Sequence, residues 1–369
     1  MMEMELSLIF AERLVAARKA HGYTQRALAE KIGYSEKAIS KWERGGAMPP
    51  VAVLLDLAAA LHTTVGALLE NAQRIKYYLG IDGGGTKTAF LLEDAVGQEI
   101  AAYKLGPTNP NDVGMDTCLS RLREGILAVT AGIPLGEIAV FAGIAGGGLS
   151  GNNVTYIKKA LDGYGFGAVE NGSDVENSLE MALHGKDGVA LIAGTGTIAF
   201  AQSGGKRHRV AGWGYLLDGA GSGYDIGRDG LHAALRHIDG RGKPTVLTEQ
   251  LAQKLQKSVP DAIPEIYQGG KRLIASLSPL VFAAARAGDV VALAILEKNA
   301  AALAEMITAA RTYVADKNTP VVICGGLAHH ADLLSPMIKA CLSEHIDVQF
   351  SLEEMVHGAV ARARRITNE

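Results

Sequence analysis

Two stretches of the chain share one pattern: Tyr78–Asp94, YLGIDGGGTKTAFLLED, and Gly188–Ser203, GVALIAGTGTIAFAQS. In each, an apolar run predicts a strand, a glycine-rich turn follows, and a second run predicts another strand. Both then continue through a glycine hairpin into a third strand. The two turns, Gly83–Thr86 and Gly194–Thr197, lie about 110 residues apart. We therefore predict two copies of one supersecondary unit, in two lobes that face each other across a cleft.

The glycine turns point to phosphate binding. Glycine has no Cβ to block the approach of a ligand, so backbone amides in such turns can grip a phosphate chain. A Walker A loop does not fit, because Thr86 comes before Lys87 and puts the motif one residue out of register. A dinucleotide loop is disfavoured because Ile198–Gln202 continues as strand rather than helix. The matched pair of turns therefore predicts one phosphate chain held from both sides.

Composition sets the broad class of protein. The 369 residues are 48% hydrophobic, with 45 glycines, 11 prolines and a net charge of −3. This predicts a turn-rich α/β protein with two or three domains and no global attraction for polyanions. No apolar run approaches the roughly 18 residues that a membrane span needs, and the start, MMEMELSLIF, does not resemble a signal peptide. Three cysteines without a CxxC pair predict reduced thiols and a cytoplasmic location.

The first seventy residues differ from the rest of the chain. Their periodicity is helical from Leu6 to Glu70, and Thr24 and Ser35 stand where helix N-caps are expected. Two short helices joined by a tight turn have the layout of a helix-turn-helix. Between Arg13 and Arg44 there are eight basic and three acidic residues, an excess suited to phosphates.

The string YTQRALAEKIGYSEKAISKWERG resembles the Cro/C1-type (XRE-like) helix-turn-helix family over roughly 60 residues. The resemblance implies that Ala29, Ile39 and Trp42 are core residues and that operator DNA is a partner. A helical protein-interaction module remains the alternative. By the resemblance, the residues expected to face DNA are Gln25, Ser35, Lys37, Ser40, Lys41 and Arg44.

The rest of the chain resembles the actin/hexokinase-type ATPase superfamily, and within it the BadF/BadG-like branch that includes N-acetylglucosamine kinases. The matching strings are IDGGGTKT, PTN, IAGTGT, AGWGYLL and SPLVFAAARAGD. The resemblance implies an α/β actin-like fold of two ribonuclease-H-like lobes, with ATP and Mg²⁺ in the cleft. We expect an all-α helix-turn-helix domain at residues 1–72, an N-terminal lobe at 76–185 and a C-terminal lobe at 186–369.

Two carboxylates are candidates for phosphoryl transfer, which needs positioning and charge neutralisation more than covalent help. Asp82 ends the first strand beside the glycines, where it could hold Mg²⁺ or cap the turn. Asp174 follows a predicted strand and opens a helix; the resemblance makes it the catalytic base, and an N-cap is the alternative. Lys87 could instead face solvent. The predicted nucleotide-binding residues are Gly84, Gly85, Thr86, Lys87, Gly194, Thr195, Gly196, Thr197, Gly325 and Gly326.

For the sugar, the resemblance assigns Asn109, Gly212, Trp213 and Asp218. Trp213 could equally be a core residue. Relatives continue GWGYLL with GDEGS, whereas this chain has DGAGS, which shifts the aspartate one position early to Asp218. We therefore expect weak sugar binding, slow turnover, or both. His329 and His330 have no third ligand at a suitable spacing, so we expect them at the surface.

Together these features predict an ATP-dependent amino-sugar kinase fused to a DNA-binding domain, which acts as a homodimeric, sugar-responsive transcriptional regulator. Two alternatives stay open: a sensor without turnover, and a kinase with a helical interaction module that has no affinity for DNA. The joint at Asn71–Lys76 is too short for a free tether, so we expect the DNA-binding domain to respond to events in the rest of the chain.

Overall fold

The computed structural model describes residues 2–69, 75–147, 152–218, 221–316, 318–342 and 346–367. The chain divides into two compact units: Met1–Lys76 with Ile133–Ile138, and Tyr77–Gly132 with Ala139–Glu369. Within the predicted joint, residues 71–74 lie outside the described part of the chain.

Between residues 2 and 69 the regular elements are helices. Thr24 Oγ1 accepts a hydrogen bond from the Ala27 amide at 3.0 Å, and Ser35 Oγ accepts one from the Ala38 amide at 3.2 Å, which confirms both predicted helix starts. The predicted core residues Ala29, Ile39 and Trp42 are buried. The helices are α1 Met2–Ala20, α2 Gln25–Ile32, α3 Glu36–Glu43, α4 Val51–Ala60 and α5 Val65–Leu69.

The second unit begins with a mixed sheet whose strand order is β3-β2-β1-β4-β5. Its first three strands form an antiparallel meander, and β4 pairs parallel with β5. Strand β4, which lies between β1 and β5, is buried along its whole length, as its unbroken apolar sequence requires. The strands are β1 Tyr77–Gly83, β2 Thr88–Asp94, β3 Glu99–Leu105, β4 Ile138–Ile144 and β5 Ala168–Gly172. The helices are α6 Pro110–Val113, α7 Met115–Val129, α8 Asn153–Asp162 and α9 Asp174–Leu183.

The second sheet repeats the first, with the order β10-β9-β6-β7-β8. In both sheets the first three strands form the meander and the fourth lies beside the first, which confirms the predicted repeat and the actin-like fold class. The strands are β6 Gly188–Ala193, β7 Thr197–Ser203, β8 Lys206–Val210, β9 Val321–Cys324 and β10 Val348–Phe350. The helices are α10 Gly223–Ile238, α11 Leu247–Leu255, α12 Ile263–Ser276, α13 Ser278–Arg286, α14 Val290–Arg311, α15 Ala331–Cys341 and α16 Met355–Ile366.

The last helix returns to the first sheet. Val356 and Val360 of α16 pack in one apolar cluster with Ala89 and Leu91 of β2. The helix comes so close to β1 that a Cβ on Gly80 would lie 2.5 Å from the Val360 amide nitrogen. The expected C-terminal lobe at 186–369 thus needs one amendment, because α16 packs on the sheet of the other lobe.

Two further observations bear on the sequence analysis. Cys118 and Cys324 are buried and Cys341 is exposed, all three as free thiols. Burial raises the pKa of Cys324 to about 12, so it stays protonated at neutral pH. Over the described residues no single helix is long and apolar enough to cross a membrane; α13 and α14 pass such a test together, but they are bent by 119°.

Candidate functional site

The site is organised around Asp82 at the end of β1. The Asn177 Nδ2 atom of α9 donates to Asp82 Oδ1 at 2.7 Å and lies 3.1 Å from the Gly143 carbonyl oxygen of β4. Gly143 must be glycine, because a Cβ there would lie 2.2 Å from Asn177 Oδ1. Asn177 therefore ties two strands to one helix and holds the carboxylate of Asp82 in place. Sequence reasoning missed Asn177, whose position three residues after Asp174 was the only available signal.

The carboxylates of Asp82 and Asp174 are close enough to interact. Burial raises the pKa of Asp82 to about 6; the hydrogen bond from Asn177 opposes this rise, and the charge of Asp174 adds to it. Burial also raises the pKa of Asp174, against hydrogen bonds from backbone amides. Neighbouring carboxylates with perturbed pKa values are often found at functional sites.

Asp174 is not the cap of its helix. Ser173 occupies the N-cap position of α9, and its amide donates to Glu176 Oε1 at 3.2 Å, as in a capping box. Asp174 is the first helical residue, so the alternative that it serves as an N-cap is wrong. Its carboxylate remains available for another role.

Both glycine turns are closed in the same way. The Gly84 amide donates to the Lys87 carbonyl oxygen at 2.9 Å, and the Gly194 amide donates to the Gly196 carbonyl oxygen at 2.9 Å. In each turn one glycine amide, that of Gly84 or Gly194, therefore closes the turn and is not available to a ligand. In these two turns, which are fully described, the amides of Gly85, Thr86, Thr195 and Gly196 donate no hydrogen bond and are left for a ligand.

Buried threonines support the first turn. A Cβ on Gly83 would lie 2.3 Å from Thr108 Oγ1, so only glycine fits at this position. Thr88 Oγ1 donates to Thr108 Oγ1 at 2.9 Å, and the Thr108 amide donates to the Gly84 carbonyl oxygen at 3.2 Å. The turn is thereby fixed to the loop that leads into Asn109.

A cavity of about 720 Å³ brings the two turns together. Thr86 of the first turn and Thr195 of the second both line it, together with Gly194 and Gly326. Gly326 is open toward this space, because a Cβ there would meet no heavy atom within 4 Å. Gly325 has a structural role: its φ is 94°, and a Cβ would lie 2.7 Å from the Ala193 carbonyl oxygen. Thr197 is buried at the start of β7.

Lys87 does not line that cavity. It lies with Asp82, Gly326, His329 and Glu354 along a smaller cavity of about 370 Å³. Lys87 is exposed on the hairpin; the hydrogen bond from Lys104 lowers the pKa of Glu354, and the charge of Lys87 adds to this effect. Gly326 lines both spaces, so the two cavities meet there.

The donor set fits a nucleotide and a divalent cation. Unpaired amides on two turns suit the oxygens of a polyphosphate. Asp82 supplies one carboxylate, and the described residues contain no cluster of three or more His, Cys, Asp or Glu that could hold a metal by itself. A single carboxylate beside the turns is compatible with Mg²⁺, which is commonly held by one or two carboxylates together with substrate phosphates.

Asn109, assigned to the sugar, has local partners. Its Oδ1 accepts from the Asn111 amide at 3.0 Å and its Nδ2 donates to Asp112 Oδ2 at 3.0 Å, so it caps α6. A Cβ on Gly146 would lie 2.4 Å from Asn109 Oδ1, which shows how closely the loop after β4 approaches. The side chain thus has a structural role, and its contact with sugar stays a prediction.

The predicted sugar-binding segment is exposed. Trp213 is 64% exposed, so it is not a core residue, and the Arg209 guanidinium lies 4.3 Å from the centroid of its ring. Gly212 has a φ of 77° and packs against Ile198. Asp218 Oδ2 accepts from the Trp213 amide at 3.0 Å, so this carboxylate closes its own loop. The DGAGS departure is only partly visible, because residues 219 and 220 lie outside the described part of the chain.

Of the two histidines expected at the surface, His330 is instead half-buried. His329 is exposed, but His330 stacks on Phe282 with ring centroids 3.7 Å apart and lines the larger cavity. Burial and the charge of Arg286 lower the pKa of His330. The pairing of His330 with α13 is a tertiary contact that the sequence did not indicate.

The candidate DNA-binding face lies on α3. Lys37, Lys41 and Arg44 are exposed and follow helical spacing on one side, with Ser40 half-buried beside them. The hydroxyl of Ser35 serves as the N-cap of α3. This polar face is opposite the buried side chains of α3, as an amphipathic recognition helix requires.

Gln25, expected at the DNA, also has an internal partner. Its Nε2 donates to Glu43 Oε2 at 2.7 Å, and Arg18 Nη2 donates to the same oxygen at 2.9 Å. The carboxylate of Glu43 is buried, so both donors compensate its charge. Arg18 and Glu43, missed from the sequence, hold α1 and α3 together.

Comparison with known proteins agrees with this architecture. A model of the BadF/BadG/BcrA/BcrD ATPase family matches residues 79–361, and a helix-turn-helix model matches residues 14–68. The chain is 32% identical over 270 residues to an N-acetylmuramic acid/N-acetylglucosamine kinase of Clostridium acetobutylicum, covering 70% of this chain and 88% of the relative.

Solved structures share the fold. A candidate N-acetylglucosamine kinase from Chromobacterium violaceum aligns with a TM-score of 0.64 and 25% identity, over 78% of this chain and 99% of the other. A ROK family transcriptional regulator, a homologue of the E. coli MLC protein, aligns with a TM-score of 0.54 and 14% identity, over 98% and 96% of the two chains. The chain belongs to the BadF/BadG/BcrA/BcrD ATPase family and carries an amino-terminal helix-turn-helix domain.

Proposed function

We propose that this protein is an ATP-dependent amino-sugar kinase. The observation that carries the proposal is the placement of two burial-perturbed carboxylates, Asp82 and Asp174, in the same unit as two glycine turns with unpaired amides. The relative from Clostridium acetobutylicum is named as an N-acetylmuramic acid/N-acetylglucosamine kinase, and this name supports amino sugars as the substrate class.

In this proposal, different residues bind the phosphates, hold the cation and accept the proton. ATP supplies the phosphoryl group, and Mg²⁺ neutralises part of its charge. The amides of Gly85, Thr86, Thr195 and Gly196 hold phosphate oxygens, and Asp82 holds the cation. Asp174 accepts the proton of a sugar hydroxyl as that oxygen is phosphorylated. The raised pKa of Asp174 makes it a better proton acceptor than an exposed aspartate.

We further propose that the protein regulates transcription in response to its sugar. The helix-turn-helix domain binds a two-fold symmetric operator as part of a cytoplasmic homodimer, with Lys37, Lys41 and Arg44 at the DNA. Support comes from the exposed basic face of α3. The fold shared with a ROK family regulator over nearly the whole chain is consistent with this proposal.

Two measurements on the full-length protein test the proposal. The first is a thermal-shift screen of amino sugars with and without Mg-ATP, because a ligand that binds only the native state raises its melting temperature. The second is a coupled assay of ADP release with each stabilising sugar. We expect at least one amino sugar to raise the melting temperature and to cause ADP release. Stabilisation by ATP but by no amino sugar would contradict the proposed substrate class.

A second candidate function is a sugar sensor without turnover. It is favoured by the segment around Trp213, where Arg209 covers one face of the ring and Asp218 is engaged with its own loop. This candidate predicts that sugar changes operator affinity while ADP release stays at background. A selected operator fragment and fluorescence anisotropy, with and without sugar, would separate the two functions.

A further inference from the structure

Helix α12 is interrupted beside the glycine turns. Gly270 has a φ of 53° and a ψ of −144°, a left-handed conformation that favours glycine and breaks the helix. Two basic residues, Lys271 and Arg272, follow the break directly. The break therefore sets the direction in which these two adjacent side chains leave the helix.

The two side chains reach different turns. The Arg272 guanidinium donates to the Gly85 carbonyl oxygen of the first turn, and Arg272 lines the cavity of about 720 Å³ that both turns share. The Lys271 Nζ lies 3.3 Å from the position that a Cβ on Gly196 would occupy, in the second turn. It also lies 5.6 Å from the centroid of the Tyr215 ring.

Neither cation is neutralised by the protein. Over the described residues, neither Lys271 nor Arg272 forms an ion pair with a carboxylate. A carbonyl oxygen carries only a partial charge, so it is a weaker partner for a guanidinium than a carboxylate or phosphate, which can pair with it through two parallel hydrogen bonds. Lys87, the lysine expected at the phosphates, lies instead along the smaller cavity with Asp82. The positive charge that lines the larger cavity is thus that of Arg272, while Lys271 lines a separate cavity of about 430 Å³ with Tyr215.

We propose that Lys271 and Arg272 bind the polyphosphate of the nucleotide, Arg272 at the first turn and Lys271 at the second. This inference rests on the proposed kinase function and adds to it. The two residues join the turns through one anion, since each of them already lies against a different turn. A guanidinium and an ammonium that lack carboxylate partners suit a polyanion better than a neutral ligand.

The test is the dissociation constant of adenosine, AMP, ADP and ATP for the full-length protein, measured by isothermal titration calorimetry without Mg²⁺. The variants are Arg272→Gln and Lys271→Met, which remove charge at similar length. Lys254→Met on the exposed side of α11 is the control. We expect each test variant to raise the dissociation constant of ATP by about 5- to 20-fold and that of adenosine by less than about 2-fold. The control variant should leave both constants unchanged.

The pattern across ligands separates the possible outcomes. Equal weakening of adenosine and ATP would show that α12 only shapes the pocket, and unchanged ATP binding in both variants would overturn the inference alone. No ATP binding by the unsubstituted protein would overturn the proposed function as well. Arg272→Lys, which keeps the charge and the fold, is expected to bind ATP more tightly than Arg272→Gln. The thermal midpoint of each variant confirms that it is folded.

Discussion

Asp174 is not the cap of α9, because Ser173 holds the N-cap position and Glu176 completes the capping box; its carboxylate accepts hydrogen bonds from backbone amides, which an asparagine can also accept. Its substitution therefore tests chemistry rather than folding. We predict that Asp174→Asn lowers kcat for an amino sugar by about 10²- to 10⁴-fold, because an amide cannot accept the proton. The ATP dissociation constant is expected to change little, and the thermal midpoint at neutral pH is expected to stay the same or rise, because burial disfavours the charged carboxylate that the asparagine replaces.

The pH dependence of the wild-type rate is a second test of Asp174 as the proton acceptor. Its carboxylate must be ionised to accept a proton, so kcat/KM should fall as the pH drops through its raised pKa. Full activity of Asp174→Asn over the whole pH range would leave the residue without a catalytic role.

Asp82 lowers the stability of the ligand-free protein at neutral pH. Its pKa of about 6 exceeds the ordinary value of 3.8, so the native state binds the proton more tightly than the unfolded chain. Stability is therefore lost as the pH rises from about 4 to about 6, by up to about 3 kcal/mol. We predict that Asp82→Asn raises the free energy of unfolding at pH 7.5 but not at pH 4, in chemical denaturation without nucleotide.

Asp289 is a control for Asp82, because its pKa is lowered rather than raised. Burial disfavours the charge of Asp289, but hydrogen bonds from the amides of Ala292 and Val246 outweigh it and lower its pKa. Its stabilising contribution is present at neutral pH and lost as the pH falls through that lowered pKa. Asp289→Asn should thus destabilise the protein at pH 7.5. If both substitutions destabilised it equally, the account of Asp82 would be wrong.

At the scale of elements, α3 packs against the core with one face and exposes basic side chains on the other. Ile39 and Trp42 are buried in the core of the first unit, whereas the basic side chains point outward. A substitution on the outer face should therefore affect DNA binding without affecting folding.

We predict that Lys37→Ala weakens binding to the operator by about 10-fold and reduces the slope of log K against log salt by about 1. Lys31→Ala is the matched control: this lysine of α2 is also exposed, and its Nζ donates to the Tyr23 hydroxyl at 3.1 Å. Fluorescence anisotropy over a salt series gives both quantities. Equal losses for the two variants would place the DNA-binding face elsewhere.

At the scale of the whole molecule, the proposed regulation needs the kinase-like unit and the DNA-binding domain to be coupled. The last helix of the helix-turn-helix domain ends at Leu69 and β1 begins at Tyr77, so few residues join them. Thermodynamic linkage requires operator DNA to change sugar affinity by the same factor that sugar changes operator affinity.

We predict that about ten Gly/Ser residues inserted after Gln73 abolish this coupling and leave both separate affinities within about 2-fold. Gln73 itself lies outside the described residues. The measurement is operator affinity with and without sugar, in the parent and in the insertion variant. Coupling that persists after the insertion would point to a route other than the joint.

Much of the fold could be predicted because its signals are local. Apolar runs predicted the three-strand meander of each sheet, and their repetition predicted two similar halves, whereas β4 and β10 were not predicted. Thr24 and Ser35 marked helix starts because a capping side chain acts within three residues of itself. Asp82, Asp174 and the glycine turns were found because strand ends and glycine clusters are visible in the sequence.

The sequence by itself determined the order of elements, the repeated turns and the two candidate carboxylates. Only the tertiary structure decided which groups meet there: Asn177 reaches Asp82 across 95 positions, and Arg272 reaches Gly85 across 187. It also placed Lys87 along the smaller cavity and returned α16 to the first sheet. The physical reason is that secondary structure follows from periodicity within a few residues, whereas these contacts depend on how separate elements pack, which no local pattern encodes.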